Sequence, residues 1–141
     1  MNIEYRSPDQ NSIVSSSYTH SLFFEKDGIP KANLEYLYIG GFYYLFYIGV
    51  YQKFRGEGYG RMLLTEFNSM LTRKKVNGIL RNIIDPNHPT RNFYQNHNWQ
   101  YLSTGNDWMI HKNTSFSNQH LQSVINRIKK LEELGAFMVY H

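Results

Sequence analysis

The sequence predicts an α/β protein of the α+β kind, with helices packed on one mixed sheet. Three observations lead there. A tyrosine-rich run from residue 18 to 50 alternates strand-forming segments with turn residues. The apolar period then changes to that of a helix from Gly60 onward. A short apolar strand follows that helix, so it can return parallel to the strand before it.

Taken in order, Asn2–Tyr5 reads as a short strand. Ser7–Ser17 is polar, carries Pro8, Asp9 and three consecutive serines, and reads as loop. Tyr18–Glu25 is a strand closed by the turn Lys26-Asp27-Gly28. Leu34–Ile39 and Phe42–Val50 are two more strands, joined by Gly40-Gly41, a pair that accepts the positive φ of a tight hairpin. Leu63, Leu64, Phe67, Met70 and Leu71 then recur on one helical face. Arg73, Lys74 and Lys75 suit the negative end of that helix, and Gly78 is read as its stop. Ile79–Ile84 is the returning strand, Asp85–Pro89 a turn cluster, and Thr90–His97 a short helix. Trp99–Ser103 and Trp108–Lys112 close the sheet. Ser117 caps a second long helix with an apolar stripe from Leu121 to Leu134, and Phe116 with Leu121 fits a hydrophobic staple. Gly135 ends that helix, and Ala136–Tyr140 is expected as a last strand.

A chain of 141 residues suits one domain spanning 1–141, with a core at about 18–112 and a C-terminal helical extension at 116–141. There is no cysteine, which excludes disulfides, thiolate nucleophiles and cysteine-based zinc sites. The N-terminus has no signal-like apolar core, and the stretch Tyr36–Tyr51 is too short and too polar to cross a bilayer, so a cytoplasmic protein without a membrane partner is expected. The net charge of +4 would suit an anionic ligand or nucleic acid. The basic residues Arg73, Lys74, Lys75, Arg127, Lys129 and Lys130 fall at helix ends and faces, where solvated charge is the commoner explanation, so nucleic acid is not the expected partner.

The segment Val50 to Gly60 carries the chemistry. It leads from a strand into the N-terminus of an amphipathic helix, where free backbone N–H groups and partial positive charge collect. Gly56, Gly58 and Gly60 let the backbone approach a phosphate closely, and Arg55 and Arg61 add charge at the rim. A Walker A loop would end in Gly-Lys-Ser/Thr, whereas this one ends in Gly60-Arg61-Met62. A dinucleotide fingerprint would follow the first strand of a parallel unit, whereas this loop follows an antiparallel meander.

Arg55-Gly56-Glu57-Gly58-Tyr59-Gly60 resembles the Gln/Arg-x-x-Gly-x-Gly/Ala loop of the GCN5-related N-acetyltransferase (GNAT) family. The resemblance extends over most of the chain, roughly Tyr18 to Lys112. It implies the acyl-CoA N-acyltransferase fold, here with a shortened N-terminal helical region and an added C-terminal helix. It also implies acetyl-CoA as acyl donor, with no metal. The amides from Arg55 through Gly56, Glu57, Gly58, Tyr59 and Gly60 to Arg61 would hold its diphosphate. Backbone groups of Ile48, Gly49 and Val50 would bind the pantetheine arm like a missing strand, and Asn87 would contact the same arm. The resemblance further implies that strand Phe42–Val50 splays from Ile79–Ile84. The run Phe93 to Trp99 is similar to the family's short helix with tyrosine followed by Gly-Phe, with Asn98 in the glycine's place and Trp99 in the phenylalanine's. On that match Tyr94 is the general acid that protonates the departing thiolate. No base is identified. Glu25 and Glu35 are candidates, and His20, His88, His97 and His111 can shuttle protons. Metal-ligand spacing is absent.

The expected activity is transfer of an acetyl group from acetyl-CoA to a primary amine, by direct attack in a ternary complex. The acceptor is an amine on a small molecule or a protein. The alternative is a catalytically silent acyl-CoA-binding module of the same fold, acting as sensor or structural subunit. The C-terminal helix is expected to cover a sheet face left bare by the short N-terminal region. Its last strand, added to a second copy, would make a homodimer.

Overall fold

The structure is a computed structural model that describes residues 2–6, 19–82, 92–102 and 107–135, with the backbone course alone for residues 2–6 and 19. Asn87, His88 and the expected last strand Ala136–Tyr140 lie outside the described residues.

The described strands form one seven-stranded sheet: β1 (Asn2–Arg6), β2 (Thr19–Lys26), β3 (Ile29–Ile39), β4 (Phe42–Val50), β5 (Asn77–Arg81), β6 (Gln100–Tyr101) and β7 (Trp108–His111). Their spatial order is β1-β2-β3-β4-β5-β7-β6, and every neighbouring pair is antiparallel except β4 with β5. That one parallel pair is the crossover expected around the first long helix, α1 (Tyr59–Lys74).

Both hairpin turns have the chemistry their residues imply. Asp27 and Gly28 take φ of 55° and 74°, and Gly40 and Gly41 take 57° and 85°, the positive values a two-residue primed turn requires. β3 is longer than its sequence pattern suggests. It starts at Ile29, because a two-residue turn feeds the chain straight back along β2, with Pro30 opposite Glu25 beside an irregularity in that ladder.

Each sheet face has its own core. On one side α1 buries Leu63, Leu64, Phe67, Met70 and Leu71 against Leu22, Phe24, Leu34, Tyr36, Leu45 and Trp99. On the other, α2 (Asn118–Glu133) buries Leu121, Val124, Ile125 and Ile128 against Leu37, Ile39, Phe42, Tyr44, Ile79, Trp108 and Ile110. The C-terminal helix therefore docks on its own chain. Ser117 caps it, its hydroxyl accepting from the His120 N–H at 3.0 Å, and Phe116 packs against the cluster that contains Leu121. His120 and Gly40 also bond, Nε2 to carbonyl oxygen at 2.6 Å, tying α2 to the β3–β4 turn.

One glycine has a different role from the expected one. Gly78 is not the stop of α1. That stop is Lys75, in the left-handed region at φ 55°, whose N–H closes on Leu71 and Thr72. Gly78 lies inside β5, where a Cβ would stand 2.6 Å from Trp99 Cη2 and 2.7 Å from Leu71 Cδ1. It is glycine because a tryptophan and a leucine close over it.

Candidate active site

β4 and β5 pair over only three residue pairs, Phe42 with Asn77, Tyr43 with Gly78 and Tyr44 with Ile79. Beyond Tyr44 the two strands part. The β3–β4 register shifts beside the parting. Glu35 pairs with Tyr47 and Tyr36 with Leu45, so Phe46 is an extra residue in β4. Such a bulge bends and twists its strand, and here it falls two residues past the last β4–β5 pair, Tyr44 with Ile79. β5 continues instead along β7, with Leu80 opposite Met109 and Arg81 opposite Trp108.

The parting leaves a free backbone edge, and the pleat decides which residues own it. The Tyr51 N–H donates to the Lys31 carbonyl of β3 at 3.1 Å. By strand alternation the Gly49 backbone also turns towards β3, while that of Ile48 and Val50 turns towards the gap. The Val50 carbonyl accepts from Arg55 Nε at 3.2 Å. Gly49 matters through its missing side chain, since a Cβ there would run into the folded-over Tyr47 phenol.

At the end of β4 the chain makes a short turn, Gln52–Phe54, and enters α1 through the glycines. Lys31 Nζ stands 3.5 Å from the Phe54 ring centroid, anchoring the base of the loop on β3. The Arg55 N–H is spent on the Gln52 carbonyl at 3.3 Å, so free amides begin after it. Gly56 and Gly58 have φ of 85° and 84°. Gly58 is the N-cap of α1 and gives no side-chain cap, and the first helical bond is from the Met62 N–H to the Gly58 carbonyl. The N–H groups of Tyr59, Gly60 and Arg61 therefore have no carbonyl partner within the helix. Nothing stands within 4 Å of a Cβ built on Gly56, and the Arg61 guanidinium lies 3.1 Å from one built on Gly58. The arrangement is an open cradle of backbone donors at the positive end of a helix, with a guanidinium beside it. Glu57 is exposed, and the Tyr59 ring is stacked on Phe24 at 4.8 Å, so these two offer the cradle their backbone. Gly60 lets the helix start close on the strand, with Val50 Cγ2 at 3.4 Å from its would-be Cβ.

Tyr94 precedes a 3₁₀ turn, Gln95–His97, that ends at Asn98 with φ 71°, the left-handed position the sequence suggested. Its carbonyl accepts from the His97 and Trp99 amides at 2.9 and 3.1 Å. Its ring packs on the α1-side core, as do Ile48 and Val50, and burial pushes the phenol up to about 12. Asn68 of α1 holds this turn, donating to the His97 carbonyl and accepting from Trp99 Nε1, each at 2.9 Å. The sequence reading passed over Asn68. A lone asparagine on the helix face that carries Leu64 and Leu71 was the available signal.

The other ionisable candidates lie elsewhere. Glu35 is half-buried on the α2 side of the sheet, its carboxyl raised by burial, with the Ser21 hydroxyl at 3.5 Å working against that rise. His97 Nδ1 bonds the Phe93 carbonyl at 2.8 Å, and His111 Nδ1 lies 2.9 Å from Asn113 Nδ2. Both are occupied in local structure, and burial lowers His111. Burial, and then the charge of Lys74, lowers His20. Arg73, Lys74, Lys75, Arg127, Lys129 and Lys130 are all exposed. Among the described residues no helix is long and apolar enough to cross a membrane.

The sequence profile of the acetyltransferase (GNAT) family matches residues 5–99. The chain belongs to the GNAT acetyltransferase family. No curated protein matches it. Among solved structures it is similar to a protein from Bacteroides thetaiotaomicron described as a GNAT-family acetyltransferase, with 19% identity over 82% of this chain and 73% of that one and a TM-score of 0.64. An Escherichia coli N-acetyltransferase acting on an alanine of a ribosomal protein gives 12% identity over 83% and 97%, with a TM-score of 0.63. The PaiA N-acetyltransferase of Thermoplasma acidophilum, solved in complex with coenzyme A, gives 18% over 69% and 62%, with a TM-score of 0.56. At these identities the likeness is one of fold. Family membership carries acyltransferase activity in general terms.

Proposed function

We propose that this GNAT protein transfers an acetyl group from acetyl-CoA to a primary amine by direct attack in a ternary complex. One observation carries the reading. A free strand edge at Ile48 and Val50 leads, through a short turn and two positive-φ glycines, into a helix N-terminus with no side-chain cap. An extended amide-bearing chain ending in a diphosphate would meet both in sequence. The pantetheine amides bond along the edge, and the diphosphate rests on the amides from Gly56 to Arg61, with the Arg61 guanidinium beside it. Arg55 leaves the Val50 carbonyl to that chain and turns its charge to the phosphates. Asn87 is assigned to the same arm on the family resemblance.

In the transfer the amine nitrogen bonds to the acyl carbon as the carbon–sulfur bond breaks, and the nitrogen loses a proton. Tyr94 supplies the proton the sulfur gains. At about 12 its phenol stays protonated through the neutral range. An alkyl thiol near about 8.5 is the stronger acid, so Tyr94 stabilises the developing thiolate as a hydrogen-bond donor and passes its proton to sulfur only in concert with its replacement from water. Among the described residues the raised carboxyl of Glu35 lies on the α2 side of the sheet, so the amine proton leaves through water.

Calorimetric titration with acetyl-CoA, wild type against Gly58→Asp, tests the site. The variant puts a negative charge where the diphosphate sits, on a backbone where L side chains are strained by about 1–2 kcal/mol. Affinity is expected to collapse while the fold persists, and unchanged affinity would remove the loop from the site. An amine screen that reads released thiol then separates transfer from silent binding.

A further inference from the structure

On the face opposite the glycine loop, α2 reaches the point where β4 and β5 part. Glu132 uses both carboxylate oxygens there. Oε1 accepts from the Tyr44 phenol at 2.9 Å, and Oε2 accepts from Arg81 Nη1 at 2.9 Å. Tyr44 is the last residue of β4 that pairs with β5, and Arg81 lies two residues beyond its partner Ile79. One carboxylate thus grips both strands across the crotch of the split. The grip is sheltered and braced. Tyr44 is 1% exposed, the Arg81 and Glu132 side chains are 27% and 17% exposed, and the Arg81 guanidinium lies 5.4 Å from the Trp108 ring that faces it in register. Burial, and then the neighbouring negative charge, lifts the Tyr44 phenol, so it stays a donor.

We propose that Glu132 is a positioning residue for the acyl-CoA cleft, a clamp from α2 that fixes the angle at which β4 and β5 diverge. It stands one helical turn after Ile128, in line with the residues that dock α2. An apolar side chain would dock the helix without the desolvation that a carboxylate suffers there. It would not tie a tyrosine of one strand to an arginine of the other. The free edge at Ile48 and Val50 works only at the right distance from β5, and that distance follows from the angle at Tyr44 and Ile79. This inference rests on the acyl-CoA reading above.

The test uses the full chain with Glu132→Ala, Glu132→Gln and, as control, Leu131→Ala, a half-buried neighbour on the same helix that packs on the same core. Acetyl-CoA Kd, KM and kcat are measured with melting temperature and with hydrogen exchange at residues 42–45 and 77–80. Glu132→Ala is expected to raise Kd and KM roughly tenfold, the scale of one lost charge-assisted contact, with kcat at saturation within about twofold. Glu132→Gln, which keeps an acceptor, recovers part of the affinity, and it also carries the test if the alanine variant does not fold. Leu131→Ala loses melting temperature and keeps wild-type Kd. Wild-type Kd in both Glu132 variants overturns the clamp, and so does an equal rise in Leu131→Ala. If the wild type itself binds no acetyl-CoA, the acyl-CoA reading fails and exchange decides the clamp. Faster exchange in Glu132→Ala but not in Leu131→Ala supports it, and unchanged exchange overturns it.

Discussion

Gly78→Ala adds one methyl group and is expected to damage both stability and turnover. The methyl carbon would stand 2.6 Å from Trp99 Cη2 and 2.7 Å from Leu71 Cδ1, both atoms of fully buried side chains. Ordinary contact requires each to retreat by roughly 0.8 Å. Trp99 cannot do so freely, because its Nε1 donates to Asn68 at 2.9 Å and Asn68 in turn holds the His97 carbonyl. Overpacking of this kind costs about 1–3 kcal/mol. Removing a glycine from a strand returns about 0.5–1 kcal/mol. A net loss of about 1–2 kcal/mol lowers the melting temperature of a domain this size by roughly 3–8 °C. The Trp99 backbone N–H bonds the Tyr94 carbonyl and the indole lies edge-on to the Tyr94 ring at 6.3 Å, so a shifted Trp99 displaces the proposed acid, and kcat is expected to fall more than acetyl-CoA affinity. Thermal melts followed by circular dichroism and steady-state kinetics read the two effects separately. Gly60→Ala is the control for the melt alone, since its methyl meets Val50 at an ordinary 3.4 Å without a positive φ, and its melting temperature should be unchanged or slightly raised. A Gly78→Ala variant melting at or above the wild-type temperature would refute the packing account. A destabilised variant with unchanged kcat would refute the link from Trp99 to Tyr94.

Three further outcomes are expected. Tyr94→Phe keeps the ring and lowers kcat by about 10²–10⁴-fold with little change in acetyl-CoA affinity; wild-type turnover would assign thiolate protonation to water. Glu35→Gln bears on pH: burial raises the native carboxyl above 4.5, so the folded state holds the proton more tightly than the unfolded state. The native protein is therefore relatively stabilised by acid and carries a cost at neutral pH. The glutamine variant should melt higher than wild type at pH 7, with the advantage shrinking as pH falls through the raised value and gone below 4.5; a pH-independent difference would contradict this. Deleting residues 117–141 strips cover from Leu37, Ile39, Phe42 and Ile110 and should give an aggregating chain; a deleted form that stays monomeric in sedimentation and keeps its melting temperature would show that α2 is dispensable.

Much of this architecture was legible because it is written locally. Asp27-Gly28 and Gly40-Gly41 announce their hairpins through backbone conformations other residues resist, and Gly135 ends α2 by the same logic, while Ser117 starts it through its side-chain cap. The glycine loop was legible as the entry to α1, since spaced glycines before an amphipathic stripe mark a backbone turn into a helix N-terminus. What stayed hidden depends on partners distant in sequence. The bulge at Phe46 exists only relative to β3, and nothing in Phe42–Val50 marks it. Gly78 reads as a helix stop until Trp99, 21 positions on, closes over it. The expected strand starts only at Leu34, because Pro30 and Lys31 interrupt the apolar pattern of Ile29–Asn33, a stretch held in the sheet by its pairing with β2. Glu132 did leave a trace, an acid four residues after Ile128 on the apolar stripe. Its partners, Arg81 and Tyr44, are 51 and 88 residues away, beyond what periodicity can report.

The placement of α2 also sets a timetable for folding. The face it covers is assembled from residues as early as Leu37 and as late as Ile110, yet its cover is drawn from Phe116 and residues 118–133. During synthesis the sheet face is thus complete before the ribosome has released the helix that shields it. The nascent chain passes through an interval with one side built and the other sticky, the condition under which folding intermediates associate. Contacts such as Tyr44 with Glu132 and Gly40 with His120 join residues 88 and 80 positions apart. Late, long-range closure slows the final step. A chaperone that binds exposed apolar strands would therefore act on this protein late, between emergence of β7 and docking of α2.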